Sequence, residues 1–405
     1  MEENLKKYAE VILKVCLKVE KNTPLVISCN SERLDFVRII TKVAYELGVN
    51  DIYYDITDSN LKHEALKNLS LEDLKKSQMF NKDKWNEYAI NGASFLMLAS
   101  ETPDLLNDVD PKLLSDITTY SQKTRTIFDD LRDEAKVAWC IAVVPTLSWA
   151  KKVFPNDLDP VNTFWNKIFE ICHINDNPEN YWNIKIEQLS SRANKLNNFR
   201  FKKLIYKSSN GTNFSIELPQ NHIWATGKSL LKNNKEVLVN FPTEEIFTSP
   251  NRLSANGILH NSKPLSYQDN IIDDFYITFK NGKVVDVKAK MGENILKELI
   301  SSTPNMDYLG EVALVDNSSS ISSTNIIFYE TLFDENAACH FALGAAFPEC
   351  ILNGNNMNKE DLLKNGLNDS LNHVDFMIGN STLDVIGVKY DNEEVQILKN
   401  GNFVI

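Results

Sequence analysis

Three carboxylates and two imidazoles, Glu245, Glu311, His340, His373 and Asp375, lie between Asn240 and Asp375. Their oxygen and nitrogen donors, with no sulfur among them, suit hard or borderline divalent ions such as Zn²⁺, Co²⁺, Mn²⁺ or Mg²⁺, and three carboxylates offset much of the charge of two such ions. Two-metal hydrolysis is the leading chemistry for this set. Two cations about 3.5–4 Å apart share a deprotonated water, polarise a carbonyl and steady the oxyanion that follows.

The local sequence sets out how these donors are to be positioned. His373-Val374-Asp375-Phe376-Met377-Ile378 alternates polar and apolar residues with the period of a strand, so His373 and Asp375 share one face and Val374, Phe376 and Ile378 the other. Glu311 sits among apolar residues in Leu309–Val315, where an unpaired carboxylate would be costly to bury. Glu245 occupies a loop bounded by Pro242 and Pro250, and of the adjacent Glu244 and Glu245 one is expected to face solvent. Both are chemically eligible as general base, with Glu245 more readily committed to metal. The small residues of Glu335–Phe347 predict a helix that leaves His340 as its one ionisable side chain in an otherwise apolar run; a core histidine bonded to a carbonyl is the plainer alternative. Asp334 or Asn336 would cap that helix, and Glu335 would complement its dipole or support the metal from further out.

At 405 residues the chain calls for two domains, read here as 1–197 and 198–405. The first alternates helix and strand signals: helical periodicity in Tyr8–Val19, a strand at Pro24–Ser28, a helix at Glu32–Leu47, and strands at Asp51–Ile56, Ser94–Ala99 and Val137–Val144, with helical stretches around Pro111–Arg132. That order predicts an α/β domain with a parallel sheet flanked by helices. Only Gly48 and Gly92 precede residue 200, so the Gly-rich turn of a dinucleotide site is missing. Helical stretches at Val161–Ile174 and Tyr181–Leu196 close this half, their Trp165, Phe169, Trp182 and Leu189 read as packing residues. Beyond Asn197 short strands broken by the Asn-Gly pairs 210–211 and 281–282 predict an α+β, sheet-rich catalytic domain, with a helix at Asn294–Ser301.

Composition narrows the partners. Hydrophobic residues at 43% and charged residues at 24% are ordinary for a soluble globular chain. A net charge of −12 argues against a nucleic-acid surface, which needs a concentrated basic face. The acidic start, Met1-Glu2-Glu3, is unlike an export signal, and the strongest apolar runs are too short to cross a bilayer. Six cysteines without a Cys-x-x-Cys pair predict reduced, buried thiols and a cytoplasmic location.

The segments Asn240–Pro250, Tyr308–Val315, Phe328–Phe347 and His373–Gly379 resemble the metal-site motifs of the thermophilic aminopeptidase family, the group of aminopeptidases T and S. Trp139–Ala142, Ser148–Pro155, and Asn210-Gly211-Thr212 followed by His222, Trp224 and Gly227 resemble family segments too. The resemblance thus spans most of the chain, and the motifs fall in family order with 66 residues from Glu245 to Glu311 and 29 from Glu311 to His340. It implies two divalent metals held at Glu245, Glu311, His340, His373 and Asp375, with Glu311 as the guessed bridge, and removal of N-terminal residues from peptide substrates by a homodimeric enzyme. A free α-amino group would coordinate a metal or meet an acidic wall.

One position departs from the family pattern. Seven residues after His340, and on the same face of the predicted helix, the family has an active-site tyrosine where this chain has Phe347. Phenylalanine neither donates a hydrogen bond nor transfers a proton, and losing one oxyanion donor costs on the order of 100 to 1000-fold in turnover. Tyr329 is the candidate replacement. Two other functions compete on that basis: a metal-binding scaffold with weakened catalysis, and a metallohydrolase of non-peptide amides or esters.

Overall fold

The computed structural model describes residues 1–124, 126–268 and 270–405. Arg125, inside the helical stretch expected at Pro111–Arg132, lies outside the described residues; around it run helices Pro111–Lys123 and Ile127–Asp133. Two compact units form, one from Met1–Ile184 with Lys228–Pro242, the other from Lys185–Gly227 with Thr243–Ile405.

The first unit is built on a five-stranded parallel sheet in the order Asn240–Phe241, Trp139–Val143, Ser94–Ala99, Pro24–Asn30, Asp51–Thr57. Its central strands are mostly apolar and mostly buried, as strands covered on both faces are, with Asn30 and Ser94 as buried polar exceptions. Helices connect them, among them Leu34–Glu46, which buries Phe36, Val37, Ile40, Val43 and Ala44 along one stripe. Trp165 and Phe169 are buried on the Pro160–Ile171 helix, and Trp182 donates its indole N–H to the Cys172 carbonyl at 2.6 Å, so the aromatic residues of this region are packing residues.

The second unit contains a nine-stranded antiparallel sheet and a five-stranded one. The smaller sheet positions the site. Its order is His373–Met377, His340–Gly344, Leu309–Leu314, Ile246–Thr248, Ala225–Thr226, every neighbour antiparallel. One face carries Val312, Leu314, Phe341, Leu343 and Phe376 into the core of the unit.

One predicted element is wrong. Residues 335–347 are not a helix: a short helix, Thr331–Glu335, ends there, and His340–Gly344 is a fully buried central strand. Its cap is the Glu330 side chain, which accepts from the Phe333 N–H at 3.1 Å, rather than Asp334 or Asn336. Ala and Leu favour helix in isolation, but pairing with strands on both sides decides the conformation. Phe347 and His340 therefore share no helical face.

Candidate metal centre

Strand register brings the donors together. Ala342 stands opposite Glu311 on one side and Asp375 on the other, while His340 faces Ala313 and His373 faces Gly344. Cross-strand partners share a face, and so do residues two apart, so Glu311, His340, His373 and Asp375 project from the same side. The residues between them on that face are Ala313, Ala342 and Gly344, which leave the space the long side chains occupy. Gly310, at the bulge beside Glu311, is required by crowding: a Cβ there would lie 2.1 Å from the Ala345 carbonyl oxygen.

Glu245 arrives from the residue before the Ile246–Thr248 strand, its Oε2 3.2 Å from His340 Nε2. His373 Nε2 lies 3.0 Å from Glu311 Oε2 and 3.2 Å from Asp375 Oδ1. Two sets of donor atoms converge, Glu245 with Glu311 and His340, and Glu311 with His373 and Asp375, the atoms of each set within 4.8 Å of one another. Glu311 belongs to both. All five residues expected from the sequence are therefore adjacent in space.

The donor set fits divalent metal. Each histidine has Nδ1 against a backbone carbonyl, His340 against Ala338 at 3.0 Å and His373 against Ala345 at 2.8 Å. With Nδ1–H donating there, Nε2 presents its lone pair toward the carboxylates, the orientation that metal-ligating histidines take. Glu245, Glu311 and Asp375 are all less than 9% exposed, and among the described residues no lysine or arginine ion-pairs with them. Burying three carboxylates is costly without a compensating cation. Without metal, that strain shows in the proton affinities. Burial raises the Glu311 carboxyl to about 7 despite His373, with Asp375 and Glu245 adding repulsion. Burial opposes the charge on His340, yet Glu245 foremost among its acidic neighbours lifts it to about 9; His373 is raised likewise by Asp375 and Glu311. Asp375, which burial would raise, is held below the ordinary range by His373.

Both neighbouring glutamates of the loop are buried, contrary to the expectation that one faces water. Glu244 ion-pairs with Lys185, and its backbone N–H donates to Asn336 Oδ1 at 2.7 Å. That pairing makes it a structural anchor of the loop and a poor general base. Glu335 is half-buried and touches Asn336 Nδ2 at 3.3 Å; burial, then Glu245, Asp375 and Glu311, raise its carboxyl well above the usual range. With Asp375 it lines a cavity of about 40 Å³, whose wall also includes Tyr329, Glu330 and Ser266. Phe347 does reach the site, by the turn after the strand: its ring packs on His373 with centroids 4.7 Å apart and on Phe247 at 5.4 Å. The lysine partner of Glu244 gave no signal in the sequence, since it is distant in the chain and one charged residue among many on the Pro178–Phe199 helix.

Residues 1–403 match the family described as thermophilic metalloprotease (M29). The chain is 37% identical to aminopeptidase AmpS of Bacillus subtilis (strain 168) over 99% of its length and 98% of that protein's. It is 38% identical to aminopeptidase 2 of Geobacillus stearothermophilus, with the same coverage of 99% and 98%. The solved structure of wild-type AmpT from Thermus thermophilus is similar with a TM-score of 0.92 at 30% identity, 99% of each chain being covered. The chain belongs to the thermophilic metalloprotease family. It is a metal-dependent hydrolase of peptide bonds, with the two-part α/β and sheet-rich architecture expected of it.

Proposed function

We propose that this metalloprotease is an aminopeptidase that removes N-terminal residues from peptides with the help of two divalent ions. Glu245 and His340 would hold one ion, His373 and Asp375 the other, with Glu311 within reach of both. The observation that carries this reading is the membership of Glu311 in both donor sets. When bound, such ions lower the pKa of water and polarise the scissile carbonyl.

The protein's own groups do the rest. Nδ1–H bonds to Ala338 and Ala345 lock both imidazoles in the ligating tautomer. Glu335, outside both donor sets but on the cavity wall with Asp375, accepts a proton from the attacking water and returns it to the leaving amine. The acidic wall formed by Glu330, Glu335 and Asp375 complements a positively charged α-amino group, which supports an exopeptidase over an endopeptidase. The names of the curated relatives support the same reading.

A homodimer in the cytoplasm completes the proposal. The six cysteines are free and buried, which supports a reducing compartment, and among the described residues no helix is long and apolar enough to cross a membrane. The family resemblance supports the dimer. The test is hydrolysis of aminoacyl-coumarin amides by protein loaded with Co²⁺, Zn²⁺ or Mn²⁺. Turnover of the free-amine substrates, abolished by chelation and absent for N-acetylated ones, is expected; preferential turnover of esters or N-acyl amides would overturn the aminopeptidase assignment.

A further inference from the structure

Tyr329 occupies the left-handed region at φ 59°, where a side chain with a Cβ is disfavoured. The surrounding structure holds it there. The buried Asp334 carboxylate accepts the Phe328 N–H at 2.8 Å and the Glu330 N–H at 3.2 Å, and it bonds the N–H of Tyr329 as well. On either side, Phe328 packs its ring on Phe333 with centroids 4.9 Å apart, and Glu330 caps the following helix. One carboxylate thus fixes three consecutive peptide groups. This strained turn places Tyr329 on the wall of the cavity that Asp375 and Glu335 also line, and among the described residues no other tyrosine lines it.

Phe347 lies against His373 without a hydroxyl, so it offers no proton to an oxygen gaining negative charge. We propose that Tyr329 is a catalytic residue, whose phenol O–H donates a hydrogen bond to the scissile carbonyl oxygen as charge develops on it. This rests on the two-metal aminopeptidase reading above. The phenol keeps its proton throughout, and no bond to it forms or breaks.

Tyr329→Phe keeps the ring and removes only the donor. In metal-loaded enzyme it is expected to lower kcat on the order of 100 to 1000-fold with KM changed less than about threefold, because the bond strengthens only in the transition state. A second measurement does not depend on turnover: calorimetric affinity for a phosphinic dipeptide analogue, tetrahedral at the reacting centre, falls on the order of 100-fold in Tyr329→Phe while affinity for the free amino-acid product stays within about threefold. Crystals of the wild-type protein with that analogue serve even if the variant fails to fold, and place the phenol oxygen within about 3.2 Å of a phosphinyl oxygen. A variant with wild-type kcat and analogue affinity, or a phenol beyond about 4 Å in the complex, overturns the proposal. If the wild type hydrolyses no peptide with any metal, the aminopeptidase reading fails by itself, and the analogue measurements still decide the role of Tyr329.

Discussion

Glu311 Oε2 and His373 Nε2 lie 3.0 Å apart although 62 residues separate them in the chain. The contact exists because Ala342, on the strand between theirs, is small enough to let both side chains lean across it. Glu311 is also within reach of Glu245 and His340, so losing it disturbs both donor sets at once. Glu311→Gln is expected to bind neither ion stably, whereas Asp375→Asn and His340→Gln each retain one. Elemental analysis of loaded protein checks the stoichiometry. Activity should fall more than about 100-fold in all three, beyond the 10–100-fold typical of outer-shell changes.

Metal removal should destabilise the folded state. The buried carboxylates then lose their counter-charge, and a ligand that binds only the native state stabilises it by about 2.7 kcal/mol at 100 times its Kd. Calorimetric scans with and without chelator should show a lower transition temperature in the chelated protein, with little difference in Glu311→Gln.

Gly310 tests the backbone that presents Glu311. Gly310→Ala places a methyl 2.1 Å from the Ala345 oxygen, and the strands must separate. A cost on the order of 1–3 kcal/mol is expected by analogy with overpacked cores. Denaturant titration measures it, and metal affinity should weaken although no donor has been changed.

Lys185 and Glu244 separate structure from catalysis in the loop. Lys185→Met leaves the buried Glu244 carboxylate without its partner and should cost about 3–5 kcal/mol, while Lys185→Met with Glu244→Leu should recover most of that loss. Were Glu244 the general base, the double variant would be stable and inactive; activity near wild type is the expected result.

Acid stability should depend on His222. Its imidazole is buried with Nδ1 on the Pro219 carbonyl at 2.8 Å, and burial pulls its pKa from 6.5 down to about 4. Between those values the unfolded chain binds the proton and the folded one does not, so stability declines as pH falls from about 6.5 to about 4 and is unaffected by this group above 7. At about 1.36 kcal/mol per pH unit the loss comes to roughly 3.4 kcal/mol. Unfolding free energies measured across that window in wild type and His222→Asn should show the shallower slope in the variant.

Much of the centre was legible because a strand announces its faces. The alternation of His373-Val374-Asp375-Phe376 predicted the strand that puts His373 and Asp375 on one face, and the apolar setting of Glu311 marked a carboxylate that burial would not tolerate alone. His340 was found by residue type but assigned to the wrong element. A central strand covered on both faces has no alternation to read, and the alanines that make room for neighbouring donors are the residues that favour helices. The choice between Glu244 and Glu245 was not legible either, since an irregular loop has no period and the deciding partner, Lys185, comes from far away in the chain.

Anomalous diffraction from crystals grown with Co²⁺ or Zn²⁺ tests the central claim most directly. Two peaks about 3.5–4 Å apart are expected, one beside Glu245 and His340, the other beside His373 and Asp375, with the Glu311 carboxylate between them. A single peak in fully active enzyme, or two peaks neither of which touches Glu311, would contradict that claim.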